Sequence, residues 1–190
     1  MMIVGLCGLA GSGKDEVAAT LSRHHRFAVI SFAHPIYKAV SEITGLSPPE
    51  LKHRDIKEEP IAWLGKSPRE LLQTLGTEWG REMVSEDIWI KIALRRASEC
   101  ERDGWNVAIT DVRFANEAEA IRHAGGQVWR IDRPGAGLAG QTAEHSSEAG
   151  IPDHLVNQVI RNVGNLDDLE EAVDAAFHSL PSAKIEVSTP

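Results

Sequence analysis

Residues 5–17 read "GLCGLAGSGKDEV". Gly8, Gly13 and Lys14 match the spacing G-x-x-x-x-G-K-[ST], except that Asp15 stands where a hydroxyl residue is usual. The turn sits where phosphate chemistry needs it. The short apolar run Met2–Cys7 precedes it, and a helical stretch from about Lys14 to Arg23 follows, with Val17, Ala18 and Leu21 on one face. Between a buried strand and a helix, glycines let backbone N–H groups converge on phosphate oxygens, and the helix N-terminus adds a favourable dipole. Lys14 would reach the outer phosphates. The bland alternative is an ordinary strand–helix turn; against it, the motif, its position and its context agree.

Two roles fit Asp15. Magnesium prefers hard oxygen ligands, and a carboxylate is one, held directly or through water. Acidic residues also suit the first turn of a helix. A second carboxylate, Asp111, closes the apolar run "WNVAITD" (105–111), and strand ends beside such a loop are where open α/β sheets bind ligands. Asp15 and Asp111 are thus the candidate magnesium ligands. Arg113 lies two residues on, so strand-like alternation would place it on the same side as Asp111. A surface Asp–Arg pair at a turn is the competing reading.

Working outward, "FAVISFA" (27–33) reads as a second buried strand and Pro35 as a helix start. Residues 45–60 are polar and read as irregular. Ser67, Pro68 and Glu70 form a capping-box start for "SPRELLQTLGTEWGREMV" (67–84), and a longer helix is expected over about 87–102, with Trp89, Ala93, Ala97 and Cys100 at helical spacing. A helix through Glu117–Ala124, a strand "QVWRI", a last strand "HLVNQVI" and a final helix capped by Asn165 complete the pattern. On the final helix, Leu166, Leu169, Val173, Ala176, Phe177 and Leu180 share one face. Strands alternating with helices imply a parallel sheet covered on both faces.

An acceptor pocket is expected between the second and third strands. Arg69 and Arg81 flank "RELLQTLGTEWGR", and arginine suits bidentate phosphate binding. Gln73 and Trp79 could meet a base by hydrogen bonding and stacking. Singly, each has an ordinary alternative: a solvated arginine, a core tryptophan. Lys52, His53, Arg54 and Lys57 read as a solvated face. The glycine-rich stretch 133–150 reads as a mobile loop whose Arg133 could close on a transferring phosphoryl group; it also carries His145 and Glu148.

The bulk properties set the frame. The chain has 190 residues, 42% of them hydrophobic, enough for one α/β domain. No stretch approaches the ~20 continuous apolar residues of a membrane span. No basic segment with a cleavage site opens the chain, so a cytoplasmic protein without a membrane partner is expected. The net charge of −8 argues against broad binding of polymeric nucleic acid. Cys7 and Cys100 are far apart, and both read as buried, unpaired residues.

Several strings together resemble the deoxynucleoside monophosphate kinases of bacteriophages and related prokaryotic sequences. They are "GLAGSGKDEVA", "SFAHPIYKAV", "SPRELLQTLGTEWGR" with "DIWI", "ITDVRFANEAEAIRHAGG", "VWRIDRP" and "HSSE", and they span most of residues 3–150. The Gly-Lys-Asp variant resembles that family's own form of the loop and is shared with phosphomevalonate kinases. The resemblance implies a P-loop fold of the nucleoside-monophosphate-kinase type: five parallel strands with helices on both faces, a monophosphate-binding region (about 34–105) and a lid (about 133–150). One domain over 1–180 and a flexible tail over 181–190 are expected. The implied reaction is transfer of the ATP γ-phosphoryl to a deoxynucleoside 5′-monophosphate with Mg2+. ATP would be held by Gly8, Ala10, Gly11, Ser12, Gly13, Lys14 and Asp15. Lys14, Asp111, Arg113 and Arg133 would serve the transfer, and Arg69, Gln73, Trp79 and Arg81 the acceptor. A homodimer is compatible with this reading. The alternatives are a kinase of another phosphorylated metabolite, such as phosphomevalonate or dephospho-coenzyme A, and a regulatory module that binds ATP without transfer.

Overall fold

The computed structural model describes residues 2–137 and 150–180. The chain divides into two compact units, Met1–Ile30 with Arg95–Pro190, and Ser31–Leu94. The first is built on a five-stranded parallel sheet. Its strands are β1 (Ile3–Cys7), β2 (Phe27–Ser31), β3 (Asn106–Thr110), β4 (Gln127–Asp132) and β5 (Gln158–Arg161), in the order β2-β3-β1-β4-β5. β1 is central and fully buried, with Val4 opposite Ala108 on one side and Gln127 on the other.

Alternation along β1 explains why helices cover both faces. Val4 and Leu6 pack with Val17, Ala18 and Leu21 of α1 (Lys14–His25) and with Leu169 and Val173 of α8 (Leu166–His178). Gly5 points the other way, where an added Cβ would lie 2.5 Å from Ile121 Cδ1 of α7 (Ala115–His123). α1 runs two residues further than its apolar face suggests and ends on Arg26 in the left-handed region. Asn165 caps α8 as expected, its Oδ1 accepting from Asp168 N at 3.0 Å. Leu166 is a correction: it is exposed, because the first residue of a capped helix faces outward while Leu169, Val173 and Ala176 fill the core.

Other boundaries also move. The expected strand "HLVNQVI" starts late, since Asp153–Leu155 is a single 3-10 turn and pairing begins only at Gln158. Cys7 is buried, and burial pushes its thiol up to about 11. Cys100 is only half-buried, on the last full turn of its helix, contrary to the expectation for both cysteines; neither is paired.

The second unit is helical. α2 (His34–Thr44) begins one residue before Pro35. The stretch read as irregular holds two short helices, α3 (Pro48–Lys52) and α4 (Arg54–Lys57). Ser47 and Glu50 build a capping box there, with Glu50 Oε2 accepting from Ser47 N at 2.7 Å. The same device opens α5 (Pro68–Gln73): Ser67 Oγ accepts from Glu70 N at 3.3 Å, and Glu70 Oε2 from Ser67 N at 2.8 Å. From Thr74 to Val84 the helix widens to π geometry. Two glycines make room. Trp89 Nε1, on α6 (Ile88–Arg102), donates to Gly76 O at 2.7 Å, and its ring fills the space where a Cβ on Gly80 would sit. No described helix is long and apolar enough to cross a membrane.

Candidate active site

The glycine loop joins β1 to α1 through Gly8, Gly11 and Gly13, all at positive φ. Two of these positions leave no room for a side chain. A Cβ on Gly8 would lie 2.4 Å from Ile131 O, and one on Gly13 would lie 2.6 Å from Asn162 Nδ2. The loop is braced from both neighbouring segments. Asn162 Nδ2, buried just after β5, donates to Ser12 O at 2.9 Å, and Ser12 N donates to Leu9 O at 3.2 Å. Gly137 N, in the stretch after β4, donates to Ala10 O at 3.0 Å.

Lys14 closes over this loop. Its Nζ donates to Gly8 O and Leu9 O, both at 2.9 Å. An ammonium has three N–H donors, so one is left for an incoming acceptor. Burial pushes the Lys14 ammonium below its usual range; Asp111 and then Asp15 pull it back, while Arg113 reinforces the lowering. These are the charges of one small region, brought together by adjacent strand ends. Val112 N donates to Leu6 O at 3.1 Å, which ties the exit of β3 to β1 beside the loop.

Asp111 is the first residue past β3, with φ at 61°. A non-glycine residue in the left-handed region is uncommon and marks a constrained site. That kink breaks strand alternation, so Arg113 reaches Asp111 for a different reason from the expected one. Glu117, 2% exposed, accepts at Oε2 from Arg113 N at 2.8 Å and Phe114 N at 3.2 Å, folding the chain back. Arg113 Nη2 then lies 3.8 Å from Asp111 Oδ1. Glu117 and Asn162 were not candidates on sequence. The spacing Phe114-x-x-Glu117 does carry a helix-start signal, but nothing in the sequence distinguishes Asn162 from a loop polar residue.

The donor set suits a divalent cation riding on phosphate. Two carboxylates, Asp15 exposed at the start of α1 and Asp111 at the end of β3, supply hard oxygens. Ser12 Oγ is buried in the loop with no hydrogen-bond partner among the described residues. Arg133 is exposed just beyond β4. His145, Glu148 and most of the expected lid lie outside the described residues, as does the tail 181–190.

The acceptor candidates all fall in the second unit. Arg69 and Gln73 are one helical turn apart on α5, and Arg69 Nη1 donates to Glu58 Oε1 at 2.6 Å. Trp79 and Arg81 lie on the π-helical stretch. Trp79 is 43% exposed, its ring 6.4 Å from that of Trp89, so it offers a free aromatic face instead of filling the core. Lys52, placed on a solvated face by sequence, lies 5.4 Å from the Tyr37 ring.

Comparison with known proteins bears on the acceptor. Residues 54–173 match the profile of the deoxynucleotide monophosphate kinase family. That span excludes the glycine loop, so the loop and the profile are separate indications. A predicted deoxynucleotide monophosphate kinase of Acanthamoeba polyphaga mimivirus is 34% identical over 152 residues, 71% of this chain and 76% of that protein. The deoxynucleoside-5′-monophosphate kinase of Escherichia phage T5 is 27% identical over an alignment of 243 residues, covering 89% of this chain and 93% of its own. Among solved structures, the dephospho-CoA kinase of Campylobacter jejuni superposes with a TM-score of 0.50 at 15% identity, covering 93% of this chain and 95% of that one. At that identity the likeness shows a P-loop kinase fold and no more.

Proposed function

The chain belongs to the deoxynucleotide monophosphate kinase family, and from that premise we propose that it transfers the ATP γ-phosphoryl group to a deoxynucleoside 5′-monophosphate. The observation that carries the transfer is Lys14: an ammonium tethered to two loop carbonyls, with one donor left over, among two carboxylates and an arginine. A passive ATP-binding module has no need of Asp111 held in a left-handed conformation beside that lysine. Family membership decides against phosphomevalonate or dephospho-coenzyme A as acceptor.

Phosphoryl transfer asks the protein mostly for positioning and charge stabilisation. Backbone N–H groups of Gly11, Gly13 and Lys14 would orient the donor's phosphates, the Ser12 N–H being taken by Leu9 O, and Lys14 would hold the outer ones. Asp15 and Asp111 would hold Mg2+. When bound, that cation supplies neutralisation of charge on the outer phosphate oxygens. Arg113, whose Nη2 lies 3.8 Å from Asp111 Oδ1, would meet the moving phosphoryl group, and Arg133 would approach the same group from the edge of the lid.

A coupled ADP-release assay over a panel of deoxy- and ribonucleoside monophosphates tests the reaction. ADP formation should depend on an added deoxynucleotide. A close-packed group that leaves a ribose 2′-hydroxyl without a partner costs ~1–3 kcal/mol, about a five- to hundredfold preference for the deoxy form. Release without any acceptor, or with ribonucleotides equally, would sink that acceptor choice.

Asp15 separates the metal role from the helix-start role. Asp15→Ala should raise the Mg2+ concentration needed for half-maximal turnover and cut turnover about tenfold or more, with little change in melting temperature. Asp15→Ser should regain part of the activity, because a hydroxyl serves in the same seat. A change confined to the melting temperature would make Asp15 a helix-start residue only.

Arg69 and Arg81 are assigned to the acceptor's 5′-phosphate. Hydrogen bonds to charged groups are worth ~1.5–3 kcal/mol, so Arg→Ala at either position should raise the acceptor's KM about ten- to hundredfold and leave that of ATP nearly unchanged. Lysine should rescue poorly if the contact is bidentate. Equal effects on both substrates would move these arginines out of the acceptor pocket. Glu58, which now accepts from Arg69, is the group the phosphate would displace.

A further inference from the structure

We propose that His24, His25 and Asp174 form a binding site for a divalent transition-metal ion of the zinc class, at the end of α1 opposite the glycine loop. His25 Nε2 lies 2.7 Å from Asp174 Oδ1, and His24 Nδ1 lies 3.2 Å from each Asp174 carboxylate oxygen. One ligand atom from each residue falls within 4.8 Å of the other two. Zinc bonds to imidazole nitrogen and carboxylate oxygen run about 2.0–2.2 Å, which sets tetrahedral edges of roughly 3.3–3.5 Å. The His24 separations are already close to those edges and the shorter His25 contact must open by about 0.6 Å, so an ion replaces the shared hydrogens with small side-chain movements. Two nitrogens and one oxygen suit zinc-like ions and disfavour magnesium, which prefers an all-oxygen shell.

The surroundings hold the ligands in place. The His25 ring stacks on Phe177 at 3.8 Å with an interplanar angle of 20°, and its side chain is only 9% exposed. His178 Nδ1 donates to Asp174 O at 2.7 Å, which pins the turn of α8 that carries the carboxylate. Both helices approach the cluster with their C-terminal turns, since α1 ends at His25 and α8 at His178. Helix C-termini favour a cation. Neighbouring cations are turned elsewhere: Arg23 pairs with Glu16 and Glu170, and Arg26 lies over the Trp105 ring. The one remaining tetrahedral position is left for water, as in sites with three protein ligands. Bound there, the ion would staple α8 to the helix whose other end carries Lys14. That end is about 16 Å away along α1 by helical rise.

The test uses the full chain, freed of metal by chelation and titrated calorimetrically with zinc chloride in the presence of millimolar Mg2+. Saturable one-to-one binding is expected, with a melting temperature that climbs with zinc concentration by mass action. Cobalt should give the intense visible bands of a low-coordinate site. His24→Gln and Asp174→Asn change partly exposed side chains, and each should weaken zinc at least about tenfold and erase the cobalt bands. His53→Gln, an exposed histidine elsewhere, should change neither. Binding unaltered in both cluster variants, binding equally weakened by His53→Gln, or no heat and no cobalt spectrum would leave the cluster a hydrogen-bonded ion pair and overturn the proposal.

Discussion

Replacing Lys14 by alanine is expected to lower kcat about a hundred- to a thousandfold while the protein stays folded. The magnitude follows from the loss of one preorganised cation at the transferring group, typically worth ~3–4 kcal/mol. The fold should survive because Lys14 fills no part of the core; its ammonium only spans Gly8 O and Leu9 O at the loop's edge. Arginine should not restore the rate. A guanidinium keeps the charge, but its planar fork does not fit between two carbonyls that now share one nitrogen. The check is kcat and kcat/KM for each substrate beside a melting curve. Equal falls in kcat and kcat/KM would show a contact made in the transition state, whereas a rise in the KM of ATP alone would show mere binding. A folded Lys14→Ala protein turning over at a near-normal rate would remove the glycine loop from the reaction.

That prediction rests on residues that sequence spacing already exposes, and the reason is physical. A phosphate loop works through backbone geometry, so its glycines and its lysine must occur at fixed intervals. Gly8, Gly13 and Lys14 therefore announce both the chemistry and the strand–helix junction that houses it. Two strands were legible for a similar reason: buried parallel strands are short apolar runs, and "IVGLC" and "NVAIT" need little context, whereas β2, read as buried, leaves Val29 exposed, and β5 starts later than its apolar run. The second unit was harder to read. Residues 45–60 look like a loop because α3 and α4 are too short to show an apolar period, although "SPPE" carries the same cap as "SPRE". The π stretch Thr74–Val84 depends on the Trp89 ring entering beside Gly76 and Gly80, a tertiary event that no local period records. Contacts such as Asn162 with Ser12, or His24 with Asp174, join positions about 150 apart in the chain, and only the fold brings them together.

One of those contacts sets the second large effect. Gly13→Ala is expected to cost about 3 kcal/mol of stability, a fall of roughly 6–12 °C in melting temperature for a chain of this size. Two causes add. Gly13 sits at φ 103°, where an L-residue is strained by ~1–2 kcal/mol. Its new Cβ would also lie 2.6 Å from Asn162 Nδ2, so the amide must move. Asn162 is buried and donates to Ser12 O at 2.9 Å, while its own N–H is tied to Asp132 O at 2.7 Å. Pushing the amide aside leaves the Ser12 carbonyl without its partner, at ~1–3 kcal/mol. Turnover should fall with stability, because the same carbonyl anchors the loop whose N–H groups are proposed to hold the phosphates. A double-mutant cycle separates the causes. With Asn162→Ala already in place, the amide is gone, and Gly13→Ala should cost only the backbone strain, so the pair should fall short of additivity by about 1–2 kcal/mol. Gly11→Ala supplies the comparison, since φ there is also positive but nothing lies within 4 Å of the added Cβ. Its cost should match the strain alone. Strictly additive losses at Gly13 and Asn162 would mean that the two side chains never meet, and the bracing of the loop by β5 would have to be abandoned.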